Sequence, residues 1–168
     1  MITDELRNSL AEYIEANYHE SAAGSPDYTP DADAVKAAGS VFSKKESFTL
    51  DQLMNEVGES FHEMLFLRID MSGMTDVEVY KRANIDRKLF SKIRSNPAYH
   101  PRKQTVLALA IALKLNLDEA VDLLARAEYA LSPGNKGDLI VKYFIERGIY
   151  DIMTINYALD EYGQDILE

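Results

Sequence analysis

The sequence predicts an all-α fold, on three observations. Apolar residues recur at helical spacing along most of the 168-residue chain, and no stretch alternates apolar and polar as a half-buried strand would. The helical stretches are separated by capping residues, glycines and prolines at the places where helices start and stop. Residues 106–113 (VLALAIAL) are apolar all round, as the enclosed central helix of a small helical domain must be.

The elements follow in order. Leu6, Leu10, Tyr13, Ile14 and Tyr18 form one stripe, which predicts an amphipathic helical arm over 1–19. Residues 20–48 turn to Ser, Ala, Gly, Pro and Asp without an apolar period, the composition of a flexible linker. A helical domain is expected over 49–168. Thr49 opens its first helix, which carries Leu50, Leu53, Val57, Phe61, Met64 and Leu65 and ends at Ser72-Gly73.

Thr75 and Glu78 form a T-x-x-E capping box for a second helix, with Val77, Val79 and Tyr80 expected to face inward. Asn84 marks a turn and Asp86 caps a third helix over 86–95. There Leu89, Phe90 and Ile93 point to the core, and Lys88, Ser91, Lys92 and Ser95 share an outward face at i, i+3, i+4, i+7. Residues 75–95 thus have the punctuation of a helix-turn-helix. Pro101 opens the apolar helix, and Asn116 with Glu119 caps the next, striped by Leu117, Ala120, Val121, Leu124, Ala127 and Leu131. Two more helices end at Gly148 and Gly163.

Composition narrows the function. The chain is 46% hydrophobic and 27% charged, as in a globular domain. The absence of cysteine excludes disulfides, thiolate zinc sites and a cysteine nucleophile, and fits a cytoplasmic protein. The N-terminus lacks the basic start of a signal peptide, and the longest apolar run is about half of what a membrane crossing needs, so no membrane partner is expected. Net charge is -10, yet residues 81–103 hold eight Lys or Arg against one acid, a local charge of +7. Attraction to a polyanion must therefore be local and oriented.

Enzymatic chemistry finds no foothold in the residues. His19, His62 and His100 have no metal-ligand spacing, and Glu59 with Glu63 is an ordinary i, i+4 pair on a solvated face. No Gly-rich phosphate loop is present, so no catalytic residue, cofactor or metal is expected. Asn96-Pro97-Ala98-Tyr99 reads as the turn after the third helix.

On its punctuation, residues 61–124 resemble the lambda-repressor-like (Cro/C1-type) helix-turn-helix domain. The matching features are Val79-Tyr80, the turn Ala83-Asn84-Ile85-Asp86, the stretch Phe90-Ser91-Lys92-Ile93, Pro101, and residues 112–119. Tyr80, Asn84 and Arg94 stand where that family prefers Ala, Gly and often Glu. More closely, the strings TDVEVYKRANIDRKLFSKIRSN, ALAIALKLNLDEA and YFIERGIYDIMTINYALDEYGQDIL resemble an uncharacterised bacterial helical module, found stand-alone and behind some macro domains. The resemblance implies a five-helix core with two extra C-terminal helices and the N-terminal arm.

It also implies a transcription regulator that binds double-stranded DNA with 86–95 in the major groove. Lys81, Arg82, Lys92, Arg102 and Lys103 are then phosphate contacts, and Arg87, Lys88, Ser91 and Arg94 lie near base edges. Tyr99 and His100 stack or hydrogen-bond at the backbone. A single such helix binds weakly, so a homodimer through the helices after Ser132 is expected. The rival is a non-enzymatic protein-interaction adaptor in a bacterial ADP-ribose-linked or defence-type system. The blandest alternative is a solvated basic face paired with the acidic arm: Asp4, Glu5, Glu12, Glu15 and Glu20, with Asp27, Asp31 and Asp33 of the linker, are expected to lie across 81–103.

Overall fold

The structure is a computed structural model that describes residues 2–19 and 60–168, which belong to one compact unit. Among them are eight α-helices and no strand: α1 (Asp4–Asn17), α2 (Phe61–Ser72), α3 (Asp76–Arg82), α4 (Arg87–Ser95), α5 (Lys103–Ala112), α6 (Leu117–Arg126), α7 (Lys136–Glu146) and α8 (Ile152–Glu161). No described helix is long and apolar enough to cross a membrane. The linker expected over 20–48 and the helical turns expected from Thr49 to residue 59 lie outside the described residues.

The helix expected from Thr49 is not continuous into α2. Ser60 is extended (φ -63, ψ 164) and makes a capping box with Glu63, so a helix begins there afresh. The same device starts α3 with Thr75 and Glu78, and α6 with Asn116 and Glu119. In α3 Val79 is buried, but Val77 is 46% exposed, against expectation. A helix of seven residues makes two turns and buries one narrow face, and that face is taken by Val79 with Tyr80 beside it.

The enclosed helix is α5. Its residues Thr105 to Ala112 are all buried, against α3, α6 and α8. Phe61, Leu65 and Ile69 of α2 and Phe90 and Ile93 of α4 close the core on one side, and Tyr143, Phe144 and Ile155 close it on the other. The chain beyond α8 is fixed too. The buried Asn156 amide accepts from the Leu167 N–H at 2.8 Å and donates to its carbonyl at 3.0 Å, as a neighbouring strand would.

The arm does not reach the basic segment. It lies on α7, with Leu10 and Ile14 buried, and polar contacts hold it: the Tyr13 hydroxyl donates to Glu146 (2.9 Å), Arg7 pairs with Glu161 (2.7 Å), Arg147 donates to the Ser9 hydroxyl (3.2 Å), and the His19 N–H donates to the Pro133 carbonyl (3.2 Å). Among the described residues, Asp4 is the one acid of the arm that is ion-paired, with Arg7 of its own helix. An amphipathic helix this short is marginal in water, so it takes the nearest apolar surface, and that surface is the one expected to mediate dimerisation. Much of the apolar surface of α7 is thereby buried within its own chain, while Met153 and Tyr157 of α8 stay exposed.

Two predictions follow from this packing. Leu109→Ala or Ile111→Ala should cost about 2–5 kcal/mol in chemical denaturation, because neither cavity can collapse inside a helix enclosed on every side. The second concerns Tyr13, whose phenol is pushed up to about 12 from 10.0, by burial first and then by the hydrogen bond to the Glu146 carboxylate and its charge. The folded chain keeps this proton to higher pH than the unfolded chain does. The contribution is therefore complete below pH 10 and lost as pH rises through about 12. Tyr13→Phe should flatten the fall in denaturation midpoint over that window.

Candidate nucleic-acid interface

The turn between α3 and α4 is tight and fixed. Asn84 takes the left-handed conformation (φ 54), the Ile85 N–H donates to the Tyr80 carbonyl at 2.9 Å, and the Asn84 N–H donates to that of Lys81 at 3.2 Å. Asp86 then caps α4 by accepting from the Lys88 N–H at 2.7 Å. With Phe90 and Ile93 driven into the core, Arg87, Lys88, Ser91 and Lys92 are left exposed on the opposite side. None of these four makes an ion pair or a side-chain hydrogen bond among the described residues, and Lys92 holds its ammonium 4.3 Å from the centre of the Tyr99 ring.

The first turns of α2, α3, α6 and α7 contain acids, which suit the positive end of a helix; α4 begins instead with Arg87 and Lys88. Two cations at a helix N-terminus oppose the dipole, and an anion bound there would reverse the sign of the interaction.

The other expected site residues separate into distinct environments. Arg94 bridges to Asp76 at the start of α3 (3.0 Å) and lies 4.4 Å over the Phe66 ring, and its carbonyl accepts from the His62 ring at 3.0 Å. It joins α2, α3 and α4. Lys103 donates to the buried Asp138 carboxylate at 2.6 Å, and Asp138 also accepts from the Ser132 N–H at 2.8 Å. These two cations serve the fold. Sequence spacing could not show it, because their acids lie 18 and 35 residues away.

Lys81 and Arg82, at the end of α3, border a different cleft from the α4 face. Arg102 lies in a cavity of about 730 Å³ between α4, α5 and the C-terminal residues, where Asp165 and Glu168 are also at the wall. Tyr99 lines that cavity from the turn 96–99, which is closed by Ala98 N–H donating to the Asn96 side chain at 3.1 Å and Tyr99 N–H donating to its carbonyl at 2.9 Å. His100 is held away from α4, its ring donating to the Ala127 carbonyl at 2.8 Å. Among the described residues, no three His, Cys, Asp or Glu side chains converge as a metal site.

Lys114 was not anticipated as a site residue. It is exposed in the turn after α5, with φ 53, and it borders the same cleft as Lys81 and Arg82. The sequence signal was slight: a lysine in the second of two turns that are built alike, where Asn84 stands in the first. Set against known proteins, the chain matches no family model, no curated protein and no solved structure.

The separation of these cations can be tested directly. Lys103→Gln should cost about 1–3 kcal/mol in urea denaturation, because the buried Asp138 loses its charged donor. Arg102→Gln, altering an exposed cation one residue away that has no ion pair among the described residues, should shift stability by about 0.5 kcal/mol or less.

Proposed function

We propose that the protein binds double-stranded DNA through α4, as a regulator of the lambda-repressor-like helix-turn-helix type with α3 and α4 as the motif. The observation that carries this reading is the outward face of α4, where Arg87, Lys88, Ser91 and Lys92 stand exposed, with no ion pair or side-chain hydrogen bond among the described residues. The N-terminal part of the second helix enters the major groove in this class of motif, and arginine and lysine suit the acceptor pair on guanine. Six of the eight cations of 81–103 remain available to phosphate or base once Arg94 and Lys103 are set aside.

One observation favours a protein partner instead. The first helix of such a motif meets the DNA backbone near its N-terminus, and α3 carries Asp76 and Glu78 there, the Glu78 carboxylate already accepting from the Thr75 N–H at 2.8 Å. Hydrogen bonding to the Thr75 backbone and hydroxyl holds that carboxyl below its ordinary value of 4.5, so it stays charged at neutral pH. An adaptor recognising an acidic protein segment would use α4 without placing phosphate against α3.

Arg87→Glu combined with Lys92→Glu should leave the denaturation midpoint within about 0.5 kcal/mol of the parent and abolish duplex binding in fluorescence anisotropy. A double variant that binds as well as the parent would remove α4 from the interface. A parent that binds no duplex at low salt would leave the adaptor as the function.

A further inference from the structure

We propose that Lys81, Arg82 and Lys114 form a phosphate-binding cleft separate from the α4 face. Lys81 and Arg82 close α3, Lys114 lies in the turn between α5 and α6, and the three border one cavity of about 320 Å³ with Tyr150 and Asp151, to which α4 contributes no lining residue. Buried Ile111 and Ala112 form part of its wall. An apolar wall lowers the local dielectric and strengthens the attraction of the three cations for an anion.

Two acids temper this cluster without cancelling it: Asp151 at the cleft, and Glu78 one turn before Arg82, whose charges attract. Asp151 is the carboxylate at the cleft, and it caps α8, accepting from the Met153 N–H at 3.3 Å and the Thr154 hydroxyl at 2.6 Å. Glu78, one turn before Arg82, is held by the Thr75 N–H and hydroxyl at 2.8 and 2.9 Å. The Tyr150 hydroxyl donates to the Leu115 carbonyl at 3.0 Å. Lys81, Arg82 and Lys114 have no ion pair among the described residues and all three are exposed.

Balancing the negative ends of α3 and α5 does not account for the cluster. Backbone N–H groups already cap both ends, Ile85 donating to the Tyr80 carbonyl at 2.9 Å and Leu115 to that of Ala110 at 3.0 Å. Three cations against the single carboxylate of Asp151 leave the cleft net positive, which favours a further anion. Phosphate is the biological anion with oxygens enough to meet an arginine and two lysines at once, as a fork and two point charges. The group could be carried by a phosphorylated small molecule or by a DNA backbone, and the site requires neither source in particular.

The full-length chain, isotope-labelled, is titrated with inorganic pyrophosphate at low salt. The expected result is a saturable shift of the Lys81, Arg82, Lys114 and Tyr150 amides. The triple variant K81Q/R82Q/K114Q should weaken binding at least about tenfold, the equivalent of one charged contact, and R87E/K92E should leave it unchanged. Mapping on the parent chain makes the result independent of how well the triple variant folds. Shifts confined to 87–92, shifts spread evenly over all cations, or no shift at all would overturn the proposal. A duplex arm identifies the source. A triple variant whose salt slope for duplex binding falls by about 0.9 per lost contact assigns the phosphate to DNA. A lost pyrophosphate response with an unchanged slope assigns it to a small ligand. A parent that takes pyrophosphate in the cleft and binds no duplex supports the cleft and removes the α4 proposal alone.

Discussion

The burial of α5 is the constraint on which the other helices depend. A ten-residue helix without a polar face is stable only when enclosed, and α3, α6 and α8 lie against it for that reason. Charge near this helix can be placed only at its ends. At the N-terminus Lys103 opposes the dipole, and the structure offsets it with Asp138, a carboxylate buried in the first turn of α7. Asp138 in turn is acceptable in the interior because the Lys103 ammonium and the Ser132 N–H both donate to it. This ion pair thus ties the start of α7 to the start of α5.

The ends of the helices are built alike. After α3, α5, α6, α7 and α8 the chain passes through one left-handed residue and returns an N–H to a carbonyl of the last turn. Glycine fills that position at Gly148 and Gly163, but Asn84, Lys114 and Glu128 fill it in the other three. A side chain in that conformation costs on the order of 1 kcal/mol, least for asparagine, and tertiary packing must hold it there. The immediate effect is a short, stiff connection. Between α3 and α4 it fixes the direction in which Arg87 and Lys88 project.

Fold class and most helix ends were legible in the sequence, since both depend on local chemistry. The capping boxes at Thr75 and Asn116, the stops at Gly73, Gly148 and Gly163, and the enclosed run 106–113 are all readable within a few residues. Long-range pairing was not legible. Nothing near Arg94 or Lys103 announces Asp76 or Asp138, and nothing in the arm shows that its stripe meets α7. Ser60 was passed over because a helical stripe from Leu50 onwards runs through it unbroken, although Ser60 and Glu63 have the same box spacing as Thr75 and Glu78.

Charge in the sequence marked a region, and its meaning depended on where the fold carried each cation. Of the eight cations in 81–103, Arg94 and Lys103 hold helices together, Arg102 faces Asp165 and Glu168 across a cavity, and Lys81 and Arg82 meet Lys114 in a cleft of their own. That leaves Arg87, Lys88 and Lys92 on the outward face of α4. A local charge of +7 therefore overstates what any one ligand could meet, and a continuous basic strip is not what the fold builds. At ionic strengths near those of a cell, charges more than about 8 Å apart act largely alone. Each group of cations has to be understood through its own neighbours, and the two groups without an ion pair among the described residues are the ones on which the proposals above rest.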